Sequence, residues 1–255
     1  MNTFARLAAA YPECWLGLLM LSGGAVGGVM SRVALQLPSL LEHRWRQAAL
    51  RQLKLPAADE AAALWRCLGK RAPESGCLPA ALAHALAHAL LFMLVGLWLP
   101  PGWRLLALLL FCTLVLTLSI IDFNTMLLPD VLTLPLLWLG LLCNLNGWFV
   151  PLDQAVIGAV TGYMALWLLF WLFKLGSGKE ALGYGDFKLT AALGAWCGWQ
   201  SLPTLLLLAA GGGLAYRLLR CAWNKHGAQQ PLAFGPWLGM SGLVNLLFFI
   251  VPISY

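Results

Sequence analysis

Three carboxylates stand tight against the ends of apolar runs. Asp122 closes the run Leu105 to Ile121, Asp130 precedes Val131 to Phe149, and Asp186 precedes Leu189 to Gln200. Each has a structural role open to it, because an Asp ahead of a helix accepts hydrogen bonds from the first free amides. Near the membrane interface its solvation cost also falls below the roughly 2.5–3.5 kcal/mol of the bilayer centre. Asp130, in Pro129-Asp130, is expected to be such a cap. Asp122 fits this role less well, since it follows its run, at the helix end where the macrodipole disfavours a carboxylate. Something else must hold it there. Asp186 lies in Leu182-Gly183-Tyr184-Gly185-Asp186-Phe187-Lys188, where glycines without Cβ atoms let the backbone bend and a substrate strand approach. Taken alone, a Gly-x-Gly marks only a turn.

Asp122 and Asp186 belong to different helices at one membrane depth, which suggests a shared site. Two close carboxylates cannot both ionise at neutral pH, so the pair holds one proton. One carboxylate then deprotonates a water while the other polarises a peptide carbonyl. That is aspartic-protease chemistry, and it needs neither a metal nor a nucleophilic side chain. His84 and His88 share a helical face at i, i+4, as metal ligands would, but no third ligand is near them in sequence, and they read as packing residues.

The elements that position these groups follow from composition. Of 255 residues 61% are hydrophobic and 10% charged, too few charges to coat a water-soluble domain. Repeated apolar runs long enough for roughly 30 Å of hydrocarbon point to an all-α polytopic membrane protein of about eight transmembrane helices. The first run, Trp15 to Ser31, reads as a retained helix rather than a cleaved signal, since its leader carries only Arg6, opposed by Glu13. The others are Ala80 to Leu99, Leu105 to Ile121, Val131 to Phe149, Gln154 to Phe173, Leu189 to Gln200, Ser201 to Tyr216 and Leu232 to Val251. Residues 1–31 thus form an outside segment and first membrane helix, 32–79 a cytoplasmic loop of short helices, and 80–255 a seven-helix catalytic core. Counting bases on alternate sides leaves Arg6 and Arg104 on one face and the other fourteen on the opposite one. The positive-inside rule makes that second face cytoplasmic, with all three Asp on it. The net charge of +6 is explained by this orientation, so no nucleic-acid partner is expected. Seven Cys, an odd number, do not make a disulfide framework.

These residues resemble the type IV prepilin leader peptidases, membrane aspartic proteases of the Gly-x-Gly-Asp type. The match runs through Ile121-Asp122-Phe123, Leu128-Pro129-Asp130, Gly183-Tyr184-Gly185-Asp186-Phe187-Lys188 and Ala233-Phe234-Gly235-Pro236. It covers roughly Cys112 to the C-terminus, and 129–142 and 183–199 look especially like the type II secretion members. The resemblance implies a catalytic dyad of Asp122 and Asp186, supported by Gly183, Gly185, Asp130 and Lys188, at the cytoplasmic face of a bacterial inner membrane. It implies removal of the basic leader of a prepilin or pseudopilin after a Gly, just before the hydrophobic helix of the substrate, which stays in the lipid bilayer. Lys188 would then either attract an acid of the substrate or snorkel to the interface. The family's second activity, methylation of the new N-terminus, would use S-adenosylmethionine.

The N-terminal part departs from the family pattern. Many members carry two Cys-x-x-Cys pairs suited to tetrahedral zinc, whereas here Cys67 and Cys77 stand ten apart, so no zinc is expected. Leu21-Ser22-Gly23-Gly24-Ala25 only faintly echoes the first-helix motif. The methyltransferase expectation is therefore less firmly carried than cleavage, which itself calls for no cofactor. Two rivals remain: a proton-coupled transporter using the same Asp residues, and a structural scaffold in which every Asp is a cap. The Asp residues fall at helix ends rather than mid-helix, against the transporter, and a scaffold leaves Asp122 unexplained. A nearer rival is a Gly-x-Gly-Asp protease cutting within transmembrane helices, but the Asp122 to Pro129-Asp130 arrangement resembles the prepilin enzymes instead.

Overall fold

The computed structural model describes residues 10–52, 74–178, 183–223 and 232–250. Every regular element among them is helical: α1 (Pro12–Gln52), α2 (Glu74–Trp98), α3 (Trp103–Thr125), α4 (Asp130–Asn144), α5 (Leu152–Ser177), α6 (Tyr184–Cys197), α7 (Leu202–Trp223) and α8 (Gly235–Val244). A 3₁₀ turn, Trp199–Ser201, leads into α7, and a π-helical stretch, Asn245–Ile250, follows α8. The chain divides into two compact units, Met1–Pro101 and Gly102–Tyr255.

The first unit is a helical hairpin. Its contact face on α1 is a row of small residues, Gly23, Gly27, Ser31 and Ala34, four or three apart and all buried. Such a row lets backbones approach closely. A Cβ on Gly23 would lie 2.7 Å from the His88 carbonyl oxygen, and one on Gly27 2.6 Å from that of His84. Both histidines are buried. Each turns Nδ1 to the carbonyl one turn back, His84 to Ala80 at 2.7 Å and His88 to His84 at 2.9 Å. A carbonyl only accepts, so Nδ1–H donates in both. The i, i+4 pair thus serves as packing at this seam. Among the described residues no group of three or more His, Cys, Asp or Glu side chains is placed to hold a metal. Cys67 and the side chain of Cys77, on which the zinc expectation turned, lie outside the described residues.

Two boundaries differ from the sequence expectation. Helix α1 does not give way to a loop at Arg32 but continues to Gln52, 41 residues in all. At 1.5 Å per residue this is about 60 Å, twice the hydrocarbon thickness. The composition change near Arg32 marks a change of surroundings rather than a helix end. In addition, α2 belongs with α1 rather than with the helices after Pro101.

In the second unit α6 is the central helix. From Asp186 to Cys197 every residue except Lys188 is buried, as expected of a helix enclosed on all sides. Gly158 and Gly162 of α5 meet Gly194 and Thr190 of α6 in backbone contact. Helix α4 is tied to α6 by the Trp196 indole N–H, which donates to the Leu136 carbonyl at 2.8 Å. The Asn144 amide likewise donates to the Ala195 carbonyl at 2.9 Å. Gly140 leaves the space that the Trp196 ring occupies.

Five described helices are long and apolar enough to cross a membrane: α1, α2, α3, α5 and α7 with its preceding 3₁₀ turn. The fold is all-α and polytopic, as expected. Of the other expected segments, α4 and α6 have 15 and 14 residues, about 21 to 23 Å. Hydropathy alone cannot separate a lipid-facing span from a helix such as α6 that is apolar because protein surrounds it.

Candidate active site

Asp122 occupies the last turn of α3 and is 5% exposed. Its Oδ2 accepts a hydrogen bond from the Gly235 backbone N–H at 2.8 Å. Gly235 opens α8 with Pro236 behind it, the usual place for Pro, where its missing N–H costs nothing. The carboxylate that its own helix disfavours therefore sits against the positive end of another helix, whose free amides attract anions. This is what holds Asp122. The approach depends on Gly235, since a Cβ there would lie 2.7 Å from Oδ2 and 3.1 Å from Cγ of Asp122.

Asp186 lies in the first turn of α6, ahead of the apolar run beginning at Leu189, and is 8% exposed. Burial, and then the charge of Asp122, lift its carboxyl from 3.8 to about 7, against the opposing effect of a hydrogen bond from the Gly183 backbone. The charge of Asp122 on α3 thus reaches the carboxyl of Asp186 on α6.

Two contacts hold these helix ends in register. A Cβ on Gly185 would lie 2.7 Å from Cβ of Leu128, so the α3–α4 turn rests directly on the start of α6. Beside it, Lys188 Nζ donates to both carboxylate oxygens of Asp130, at 2.7 and 2.8 Å. The expected capping role of Asp130 is not what is found. No side chain caps α4, Pro129 occupies the N-cap position, and the Asp130 carboxylate is taken up by Lys188. The acid that Lys188 meets is accordingly one of this chain's own. With side chains 35% and 54% exposed, the pair contributes about 0–1 kcal/mol, so its effect is on geometry more than stability. All six site residues named from the sequence lie around this junction. Gly235 and Leu128 entered that reading only as letters of a motif. The signal for Gly235 was the Gly-Pro start of the last helix, and Leu128 carried none.

A stability consequence follows for Asp186. In the native state its carboxyl keeps a proton that the unfolded chain releases near 3.8, so the native state binds more protons between these values. This contribution is fully present below 3.8 and is lost as pH rises through about 7. Asp186→Asn should therefore raise the thermal midpoint of the detergent-solubilised protein increasingly up to about pH 7 and by a constant amount above it. A difference between variant and wild type that is flat with pH would show that the carboxyl is not held neutral.

An all-α polytopic membrane protein with two buried carboxyls at adjoining helix ends has the architecture of a membrane-embedded aspartic peptidase. Residues 109–218 match the type IV leader peptidase family. The chain is 44% identical to a prepilin leader peptidase/N-methyltransferase of Dickeya chrysanthemi, over 94% of this chain and 95% of that protein. It is 37% identical to one of Pseudomonas aeruginosa, over 94% and 92%. To one of Escherichia coli strain K12 it is 52% identical over 58% of this chain and 65% of that protein. No solved structure matches the chain. The chain belongs to the type IV prepilin leader peptidase family, which removes the ground for the transporter reading.

Proposed function

We propose that this protein is an aspartic endopeptidase that removes the basic leader of a type IV prepilin or type II secretion pseudopilin, working at the cytoplasmic face of the inner membrane. The observation that carries this is the pair Asp122 and Asp186, buried on different helices with the charge of Asp122 acting on Asp186. Asp186 holds the shared proton and gives it to the scissile carbonyl oxygen. Asp122, fixed by Gly235, takes a proton from the attacking water. The resulting gem-diol collapses when Asp122 passes its proton to the amine leaving group and one adduct hydroxyl returns a proton to Asp186, which regenerates the starting state. Gly183 leaves the space beside Asp186 free of a side chain, while Gly185 admits Leu128 against the start of α6. The fourteen bases counted on one face support a cytoplasmic site, where a basic leader would lie in water and the apolar helix of the substrate in lipid.

The relatives' names add N-methyl transfer, for which S-adenosylmethionine would supply the methyl group. The described α1–α2 seam is closed by backbone contact at Gly23 and Gly27 and leaves no space for it there. No step of methyl transfer is assigned to these residues. Intact mass spectrometry of a pseudopilin incubated with membranes containing the protein reads both activities at once. The expected spectrum shows loss of the leader after Gly, with a further methyl mass if the second activity is present. An intact leader, with a related enzyme cleaving the same substrate in parallel, would refute the peptidase assignment for that substrate class.

A further inference from the structure

A cavity of about 490 Å³ opens between the end of α3, the last turns of α7 and the start of α8. Its walls include Phe123, Met126, Tyr216, Leu232, Pro236 and Trp237, with Arg220 as the one charged residue on it. It adjoins the Asp122–Gly235 contact from both sides. Phe123 follows Asp122, Met126 lies one turn on, and Pro236 and Trp237 follow Gly235. The volume falls within the range of about 300–1,000 Å³ typical of ligand sites, and mainly apolar walls are the usual lining.

The cavity is built rather than incidental. A Cβ on Gly212 would lie 2.6 Å from Cε3 of Trp237, so the Trp ring rests on the bare backbone of α7. The Tyr216 ring leans on its other part, centroids 5.6 Å apart at 44°. At the opposite wall Met126 is held by a left-handed backbone, φ 56°, with its N–H bonded to the Asp122 carbonyl at 2.8 Å. The Asp122–Gly235 contact of α3 with α8 and the walls of the cavity are therefore positioned by the same residues.

Resting on the peptidase reading, we propose that this cavity is the subsite for the first side chain after the scissile bond, and that Trp237 and Leu232 set which apolar side chain is accepted. The chemistry selects that side of the cut. A basic leader residue would lose hydration against walls of Phe, Met, Leu and Trp, whereas the first residue of an apolar helix is already at home there. Phe123 and Met126 beside Asp122, with Pro236 and Trp237 beside Gly235, make this cavity an apolar neighbour of that contact.

The test measures kcat/KM by mass spectrometry for pseudopilins carrying Ala, Leu, Phe or Trp directly after the cleaved Gly, using wild type, Trp237→Leu and Leu232→Trp. Wild type should favour Leu or Phe over Ala by roughly tenfold or more, the scale on which a hydrophobic pocket discriminates. Trp237→Leu enlarges the cavity and should raise the Trp-to-Leu ratio by roughly tenfold, while Leu232→Trp fills it and should shift the ranking toward Ala. Loss of folded enzyme scales all four rates equally, so opposite shifts in the two variants cannot arise from misfolding. Cleavage with an unchanged ranking in both variants overturns the subsite alone and leaves the cavity to lipid. Failure of wild type on every member of the panel overturns the peptidase reading, and the subsite with it.

Discussion

Asp122→Asn and Asp186→Asn should each reduce leader removal by roughly 10²–10⁴-fold, the range typical of losing a positioned acid or base. Each substitution keeps the side-chain shape. An Asn at 122 still offers an oxygen to the Gly235 N–H, so the junction of α3 and α8 survives while the proton chemistry does not. In the proposed mechanism the two carboxyls share one proton, so the double variant should be little worse than either single one. Activity in the wild type should be bell-shaped in pH, since a second proton removes the base and loss of the first removes the acid. The alkaline limb belongs near the value of about 7 to which Asp186 is raised. Asp130→Asn serves as the comparison. It weakens the bond to Lys188 but touches neither reacting carboxyl, so most activity should remain. The reverse pattern, with Asp130→Asn inactive and Asp122→Asn active, would place the dyad wrongly. The measurement is the initial rate of leader loss for each variant at matched amounts of folded protein.

The sequence made the two carboxylates legible because a chain with so few acids places them only where something offsets their cost. It also posed the right question about Asp122, at a helix end that disfavours it. The answer lay 113 residues away at Gly235, and a long-range contact of this kind has no local signature beyond a Gly-Pro helix start. The Asp130–Lys188 pair was hidden for a related reason. Local propensity makes an Asp after Pro look like a cap, and only the packing of α4 against α6 brings Lys188, 58 residues on, to compete for it. Helix count was read from hydropathy, which treats α6 as a short span. In the structure its apolar sequence reflects enclosure by α4, α5 and α8. Helix α1 shows the converse, since its polar half from Arg32 to Gln52 remains helical without an apolar pattern to reveal it. Gly158 and Gly162 of α5 permit close contact by their size alone, but only the fold shows that α6 is the helix they meet.

Gly235→Ala is the smallest change expected to have an effect comparable to losing a carboxylate. The added methyl would lie 2.7 Å from Oδ2 and 3.1 Å from Cγ of Asp122, closer than real Cβ contacts allow. Asp122 is fixed to the end of α3, whose next residues turn into the segment resting on α6, so the side chain has little room to retreat. Either the carboxyl rotates away from Asp186 or the start of α8 moves outward, and in both cases the 2.8 Å hydrogen bond from Gly235 is lost. A displacement of about 1 Å at a reacting group costs on the order of 10²-fold in rate, and that loss is expected in kcat. Gly211→Ala provides the contrast, because nothing lies within 4 Å of a Cβ there and its backbone is ordinary helix. That variant should keep full activity and gain about 0.4–1 kcal/mol of stability from a less flexible unfolded chain. Comparing the two by kcat and by thermal midpoint separates a misplaced carboxyl from a general penalty of substituting helical glycine. Full activity in Gly235→Ala would mean that the start of the last helix does not orient Asp122 during the reaction.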